Sequence, residues 1–265
     1  MGFRVRAKPE GGTDWQVALR FSLTDGEGEE ESGKGLVVEV YRGADERALS
    51  GDPAIARREQ ELVEHLEQVR QEADALARRL NLPEELAKPL RLAAMLHDMG
   101  KRRRRWQVAM GGDVDAPRAK TEGGGNGRLL GGFRHELASV LDAQADEGAL
   151  RGPADVMQAL ADIRVELAAL EEWQRELALH VVAAHHGRAR PLMPPVDDDL
   201  PPSRLEREVR EIALRFARLQ RRFGPWGLAW LEALLRAADQ RASRRLGMQG
   251  DAPSEPGRIM EAANG

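Results

Sequence analysis

From Leu62 onward apolar side chains recur at steps of three and four, through Leu66, Val69, Ala73, Leu76 and Leu80. That spacing lines one face of an α-helix, and it stops before Asn81 and Pro83, where a helix is expected to end. The same periodicity predicts helices over about 83–99, 134–147, 154–186, 203–222 and 226–246. Only residues 14–24 and 35–41 read as strands, and the polar stretch between them suggests a small hairpin-like appendage. Between the helices, residues 111–132 are glycine-rich and read as a mobile loop or lid, and PLMPPVDDDLPPS (191–203) reads as a linker. The expected class is mainly α, a helical bundle with a small N-terminal β appendage. The expected division is 1–50 for the appendage or linker, 51–250 for the helical domain and 251–265 for a C-terminal tail.

Composition agrees with this picture and narrows the chemistry. The 265 residues are 42% hydrophobic and 32% charged but only 4% aromatic, which suits aliphatic helix packing. There is no cysteine, so disulfides and thiolate metal sites are excluded and any metal must take nitrogen and oxygen ligands. No apolar run reaches the roughly 18 residues of a membrane span, and the N-terminus has no signal-like apolar region. A cytoplasmic protein is expected. The net charge of -4 averages over an acidic patch, Glu27–Glu31, and five consecutive cations, Lys101–Arg105.

Polar residues on the apolar faces carry the functional signal. In LAAMLHDMGK (92–101), His97 falls on the face of Leu90, Ala93 and Ala94, with Asp98 beside it. His65 lies on the buried side of the first helix, and Asp239 follows Leu235 by four. A buried carboxylate needs a partner or a metal. His135 opens a helix, and His185 and His186 stand together at a helix end. Neutral imidazoles and carboxylates suit divalent cations such as Mn, Ni, Co, Fe or Mg, and Asp98 is the natural bridge between two of them. Such a pair performs hydrolysis at phosphorus. Lys101, one turn after Asp98, could place an ammonium near a phosphate; its bland alternative is an exposed cation in a charged run.

The ordered motifs HDMGK, WQ, GG, FRHE, HHGRARP and RAADQRAS resemble the HD nuclease of the type I CRISPR-associated helicase-nuclease, within the HD phosphohydrolase superfamily. The resemblance spans about residues 55–245. It implies an HD-domain helical bundle that binds two divalent ions, one held by His65, His97, Asp98 and Asp239, the other by Asp98, His135, His185 and His186. It implies catalytic roles for Asp98 and Lys101 and cleavage of DNA, chiefly single-stranded, with a helicase subunit or domain and an RNA-guided surveillance complex as partners. His180 matches no ligand of that family and is expected to pack or to support a ligand.

No helicase motif accompanies these residues. GEEESGKG (28–35) fits a phosphate-loop spacing but carries three glutamates and precedes a strand, so it is rejected. The chain is then either a free-standing nuclease or part of a longer helicase-nuclease. Lys101, Arg102, Arg103, Arg104 and Arg105 are expected to face nucleic acid, whereas Trp106 is assigned to the core and the arginines of 204–222 to a solvated helix face. Sequence-independent cleavage is expected. The competing readings are a hydrolase of nucleotides or cyclic nucleotides and a non-catalytic, metal-stabilised adaptor.

Overall fold

The computed structural model describes residues 15–23, 36–43, 59–121, 125–145, 150–187, 189 and 201–249. The chain divides into two units, Met1–Asp52 and Pro53–Gly265. In the first, β1 (Trp15–Leu23) pairs antiparallel with β2 (Leu36–Gly43), from Trp15↔Gly43 to Leu23↔Leu36, with an irregularity between Val17 and Leu19. This is the expected hairpin-like appendage. GEEESGKG, residues 191–200 of the expected linker and the tail 251–265 lie outside the described residues.

The second unit is helical. Helix α1 (Leu62–Arg79) buries Leu62, His65, Leu66, Val69, Glu72, Ala73 and Ala77, so the predicted face holds through Ala73, while Leu76 is half-buried and Leu80, past the last turn, is exposed. It ends where Asn81 takes a positive φ of 50, a conformation asparagine tolerates, ahead of Pro83. Helix α2 (Glu84–Leu96) contains Pro89, which has no N–H to give to the carbonyl of Glu85. The Gln174 side chain donates to that carbonyl at 2.9 Å instead, so the proline costs no unsatisfied group there. A 3₁₀ turn over Met99–Arg102 follows, then α3 (Arg104–Met110), α4 (His135–Gln144), α5 (Ala154–Ala168), α6 (Glu172–Ala184) and α7 (Pro202–Gln249). Leu66, Val69, Ala93, Leu96, Leu137, Val182, Leu235 and Ala238 meet in the core between them.

Three expectations change. The helix expected over 154–186 is two helices, because Glu171 and Gln174 form a reciprocal capping box that starts α6. The helix expected to run to about 99 gives way after Leu96, because the backbone of Lys101 donates to the carbonyl of Asp98 at 2.8 Å and tightens the chain into the 3₁₀ turn. The segment 111–132 is not simply a loop: β4 (Arg118–Lys120) pairs antiparallel with β3 (Gln60–Glu61), a 3₁₀ turn occupies Gly127–Leu130, and the buried amide of Gln107 grips the backbone of Arg118 through both its oxygen (3.1 Å) and its nitrogen (2.9 Å). The two helices expected over 203–222 and 226–246 are present as the two arms of α7. They meet at Gly224, whose φ of 69 and ψ of 169 leave the helix where Pro225 follows.

Candidate metal centre

Five helical elements and one turn bring the expected site residues together. His65 projects from α1 with its side chain fully buried. His97 and Asp98 sit where α2 passes into the 3₁₀ turn, and both are buried. Gly100 then packs directly on the start of α4: a Cβ there would fall 2.1 Å from the carbonyl oxygen of His135 and 2.8 Å from the Cβ of Ala138. Its amide donates to Ser139 Oγ at 2.8 Å, and that hydroxyl lies 2.9 Å from the carbonyls of both His97 and His135. This close approach sets His135 against Asp98. His185 and His186 follow the last turn of α6, and the second arm of α7 carries Asp239.

The Asp98 carboxylate is the centre of the arrangement. Its Oδ2 lies 3.4 Å from His65 Nε2 and 3.4 Å from His97 Nε2, and its Oδ1 lies 3.1 Å from His135 Nε2 and 3.7 Å from His185 Nε2. Asp239 Oδ1 is 3.4 Å from His65 Nε2, and His186 Nε2 is 2.9 Å from His135 Nε2. Two sets of possible ligand atoms result, His65, His97 and Asp98 on one side and Asp98, His135, His185 and His186 on the other. Within each set the atoms lie within 4.8 Å of one another.

The opposite edge of each ring fixes which nitrogen points inward. His65 Nδ1 donates to Gln60 Oε1 at 3.0 Å, His97 Nδ1 to the carbonyl of Ala94 at 2.8 Å and His185 Nδ1 to that of Val182 at 2.6 Å. These acceptors can only receive a proton, so each Nε2 keeps a lone pair available to a cation. Nε2 of His65, His97 and His185 and Oδ1 of Asp98 are buried with no hydrogen-bond partner. Each such atom costs roughly 1–3 kcal/mol. Four of them converging on two shared positions is the arrangement a divalent cation satisfies, and the donor set of imidazoles and carboxylates suits it.

The electrostatics hold His97, His186 and the two carboxylates in ligand-ready forms, whereas His65 and His185 keep a proton more readily than a free imidazole. Burial pushes His97 down to about 4, so the imidazole is neutral near pH 7. Burial, together with the neighbouring rings of His185 and His135, likewise depresses His186. Burial favours the neutral form of Asp98, but His97, the Lys101 ammonium and the facing rings of His135 and His185 hold it well below the usual carboxylate range. Asp239 is lowered against its own burial by the facing His65 ring, 3.4 Å away. For His65 burial is again outweighed, here by Asp239 and Asp98, and its pKa rises; Asp98 does the same for His185.

Other expected site residues take different places. Lys101 is fully buried rather than exposed, its Nζ 2.8 Å from Asp98 Oδ2 and 5.3 Å from the centre of the Trp106 ring. Arg102 is buried too, donating to Asp142 Oδ2 at 2.7 Å, while Arg103 reaches Oδ1 of the same carboxylate at 2.5 Å. Arg105 lies against the carbonyl of Leu129, and Arg104 is exposed. The expected five-residue cationic stripe therefore does not hold for Lys101 and Arg102: consecutive residues of a turn point in different directions, and these two point inward. Trp106 is core, 2% exposed. His180 belongs to neither set; it is bonded to Glu232 at 2.8 Å and packed on Phe216. Gln60, Ser139 and Gln107 shape the site without having been singled out as site residues.

Among known proteins, the family model described as Cas3, HD domain, matches residues 56–250. Neither the curated proteins nor the solved structures give a match. The match covers the whole described helical unit, including every residue of the two donor sets. The chain therefore belongs to the Cas3 HD domain family, HD-type metal-dependent nucleases of the CRISPR context.

Proposed function

We propose that this chain hydrolyses phosphodiester bonds of single-stranded DNA with two divalent ions, His65, His97, Asp98 and Asp239 holding one and Asp98, His135, His185 and His186 the other. Mn, Ni, Co, Fe or Mg fit these ligands. The observation that carries the reading is the shared carboxylate: each oxygen of Asp98 faces a different group of imidazole Nε2 atoms. Two cations held by these residues would supply an activated water and neutralise developing charge at phosphorus.

The chain's own residues prepare that chemistry. Gln60 and the carbonyls of Ala94 and Val182 hold three imidazoles in the tautomer that offers Nε2. Lys101 keeps Asp98 ionised and oriented from a position too buried to be one of several surface cations. Gln107 donates to the carbonyl of Lys101 at 2.7 Å and so ties the turn that carries the lysine to β4. The exposed Arg104 is available to a nucleic-acid backbone. No base-reading arrangement is required, so cleavage is independent of sequence.

In the cell this activity belongs to type I CRISPR defence, in the cytoplasm, with a helicase subunit or domain delivering the strand and an RNA-guided complex choosing the target. Among the described residues no helix is long and apolar enough to cross a membrane. The test is purified protein with Mn²⁺ and circular single-stranded DNA, run beside mononucleotides and cyclic nucleotides. Degradation of the circle with nucleotides left intact is expected; turnover of nucleotides alone would replace this reading with that of a nucleotide phosphohydrolase.

A further inference from the structure

One buried cation near the site belongs to none of the motifs. Lys120, on β4, is 2% exposed, and its ammonium donates to Ser243 Oγ. Ser243 lies one turn after Asp239 and its hydroxyl donates to Asp239 Oδ1 at 3.3 Å, the same oxygen that faces His65 Nε2 at 3.4 Å. A hydroxyl that accepts from an ammonium is polarised and becomes a better donor, so the lysine strengthens the grip on the carboxylate. Opposite Lys120 in the β3–β4 pairing stands Gln60, whose amide oxygen holds His65 Nδ1 and whose nitrogen donates to Gln68 Oε1 at 2.8 Å. The pairing is anchored by the amide of Leu62 on the carbonyl of Pro117, 3.0 Å, and by the clasp of Gln107 on Arg118. One short strand pair thus reaches two side chains that face each other at 3.4 Å, His65 from one strand and Asp239 from the other.

We propose that Lys120 is a positioning residue for Asp239, acting through Ser243, and that the β3–β4 pair tunes one of the two metal positions while leaving the other alone. The inference rests on the two-metal reading above. Partners that orient metal ligands typically change affinity by 10–100-fold when removed. Gln60 holds His65 and Ser243 holds Asp239, both assigned to the same ion, so the effect falls on that ion.

The test is calorimetric titration of Mn²⁺ into metal-free wild type, Lys120→Met, Lys120→Arg, and Lys120→Met combined with His65→Ala. Expected are two ions in the wild type, about 10–100-fold weaker binding of one of them in Lys120→Met with the other unchanged, and partial recovery in Lys120→Arg. With His65 already removed, Lys120→Met should add less than about twofold, because both changes act on the same ion. Equal affinities in wild type and Lys120→Met, or equal weakening of both ions, would overturn the inference. If Lys120→Met does not fold, Ser243→Ala must give the same selective loss, and its failure to do so refutes the link equally. A wild type that binds one ion would contradict the two-metal reading, and the inference is then decided on that ion's affinity by the same variants.

Discussion

Replacing Gly100 by alanine tests how the turn after Asp98 builds half of the site. The added Cβ would sit 2.1 Å from the His135 carbonyl oxygen and 2.8 Å from both Ala138 Cβ and the Ser139 amide nitrogen. The nearest of these is backbone, which no rotamer change can move, so α4 must retreat by about 1 Å to restore ordinary contact. Overpacking of this kind costs about 1–3 kcal/mol, and the hydrogen bonds around Ser139 that the retreat strains are worth about 1 kcal/mol each. A total near 3–5 kcal/mol follows, which for a unit of this size lowers Tm by roughly 6–20 °C. The more specific consequence lies in the metals. His135 moves with α4 and away from Asp98 Oδ1, now 3.1 Å distant, whereas His65, His97 and Asp239 are carried by other elements. Gly100→Ala is therefore expected to weaken the ion bound by His135, His185 and His186 more than the ion bound by His65 and Asp239. Thermal unfolding by circular dichroism gives the first quantity and Mn²⁺ titration the second. Wild-type Tm with both affinities intact would refute the packing argument.

Three further outcomes follow from particular contacts. Asp98→Asn keeps an acceptor for the buried Lys101 but removes the shared charge, so nuclease activity should fall by more than the 10–100-fold typical of an orienting partner, with a folded circular dichroism spectrum; retained activity would exclude Asp98 as the bridge. Because the pKa values of His65 and His185 are raised, these rings carry protons in the metal-free protein up to a higher pH than ordinary imidazoles, and a cation must displace them. Metal binding should accordingly weaken as pH falls, beginning above the 6.5 of an ordinary imidazole, and release protons, measurable by calorimetry in buffers of different ionisation enthalpy, while His97, pushed down to about 4, contributes none. Asp142→Ala strips a fully buried carboxylate from Arg102 and Arg103 and should cost about 3–5 kcal/mol in a denaturant titration, although no metal ligand is touched; a loss under about 1 kcal/mol would mean the arginines find other partners.

The parts of this architecture that were legible in the sequence are those with local causes. Apolar spacing alone outlines α1, and Gly224–Pro225 marks the break in α7, because these depend on neighbours within a turn or two. His65, His97, Asp98 and Asp239 stood out because polar residues on apolar faces need an explanation. His135, His185 and His186 were visible at helix ends, and the family motifs added only their convergence, which no periodicity encodes. What stayed hidden is long-range. Gln60 meets Lys120 only through a two-residue strand pair, and Ser139 reaches Gly100 only because the glycine lacks a side chain. The cationic run illustrates the opposite error: Lys101–Arg105 looks uniform in sequence, yet a turn and one buried carboxylate, Asp142, draw Arg102 and Arg103 away from their neighbours.

Seven side chains carried by α1, α4, α7 and the turns after α2 and α6 are proposed to form two adjoining metal positions about one carboxylate. The most direct measurement is the metal content of the full-length protein purified without chelator and re-equilibrated with Mn²⁺, compared with His65→Ala and His186→Ala. The account predicts two ions per chain in the wild type and one in each variant, a different one being lost each time. One ion in the wild type, or a count that neither substitution changes, would contradict it.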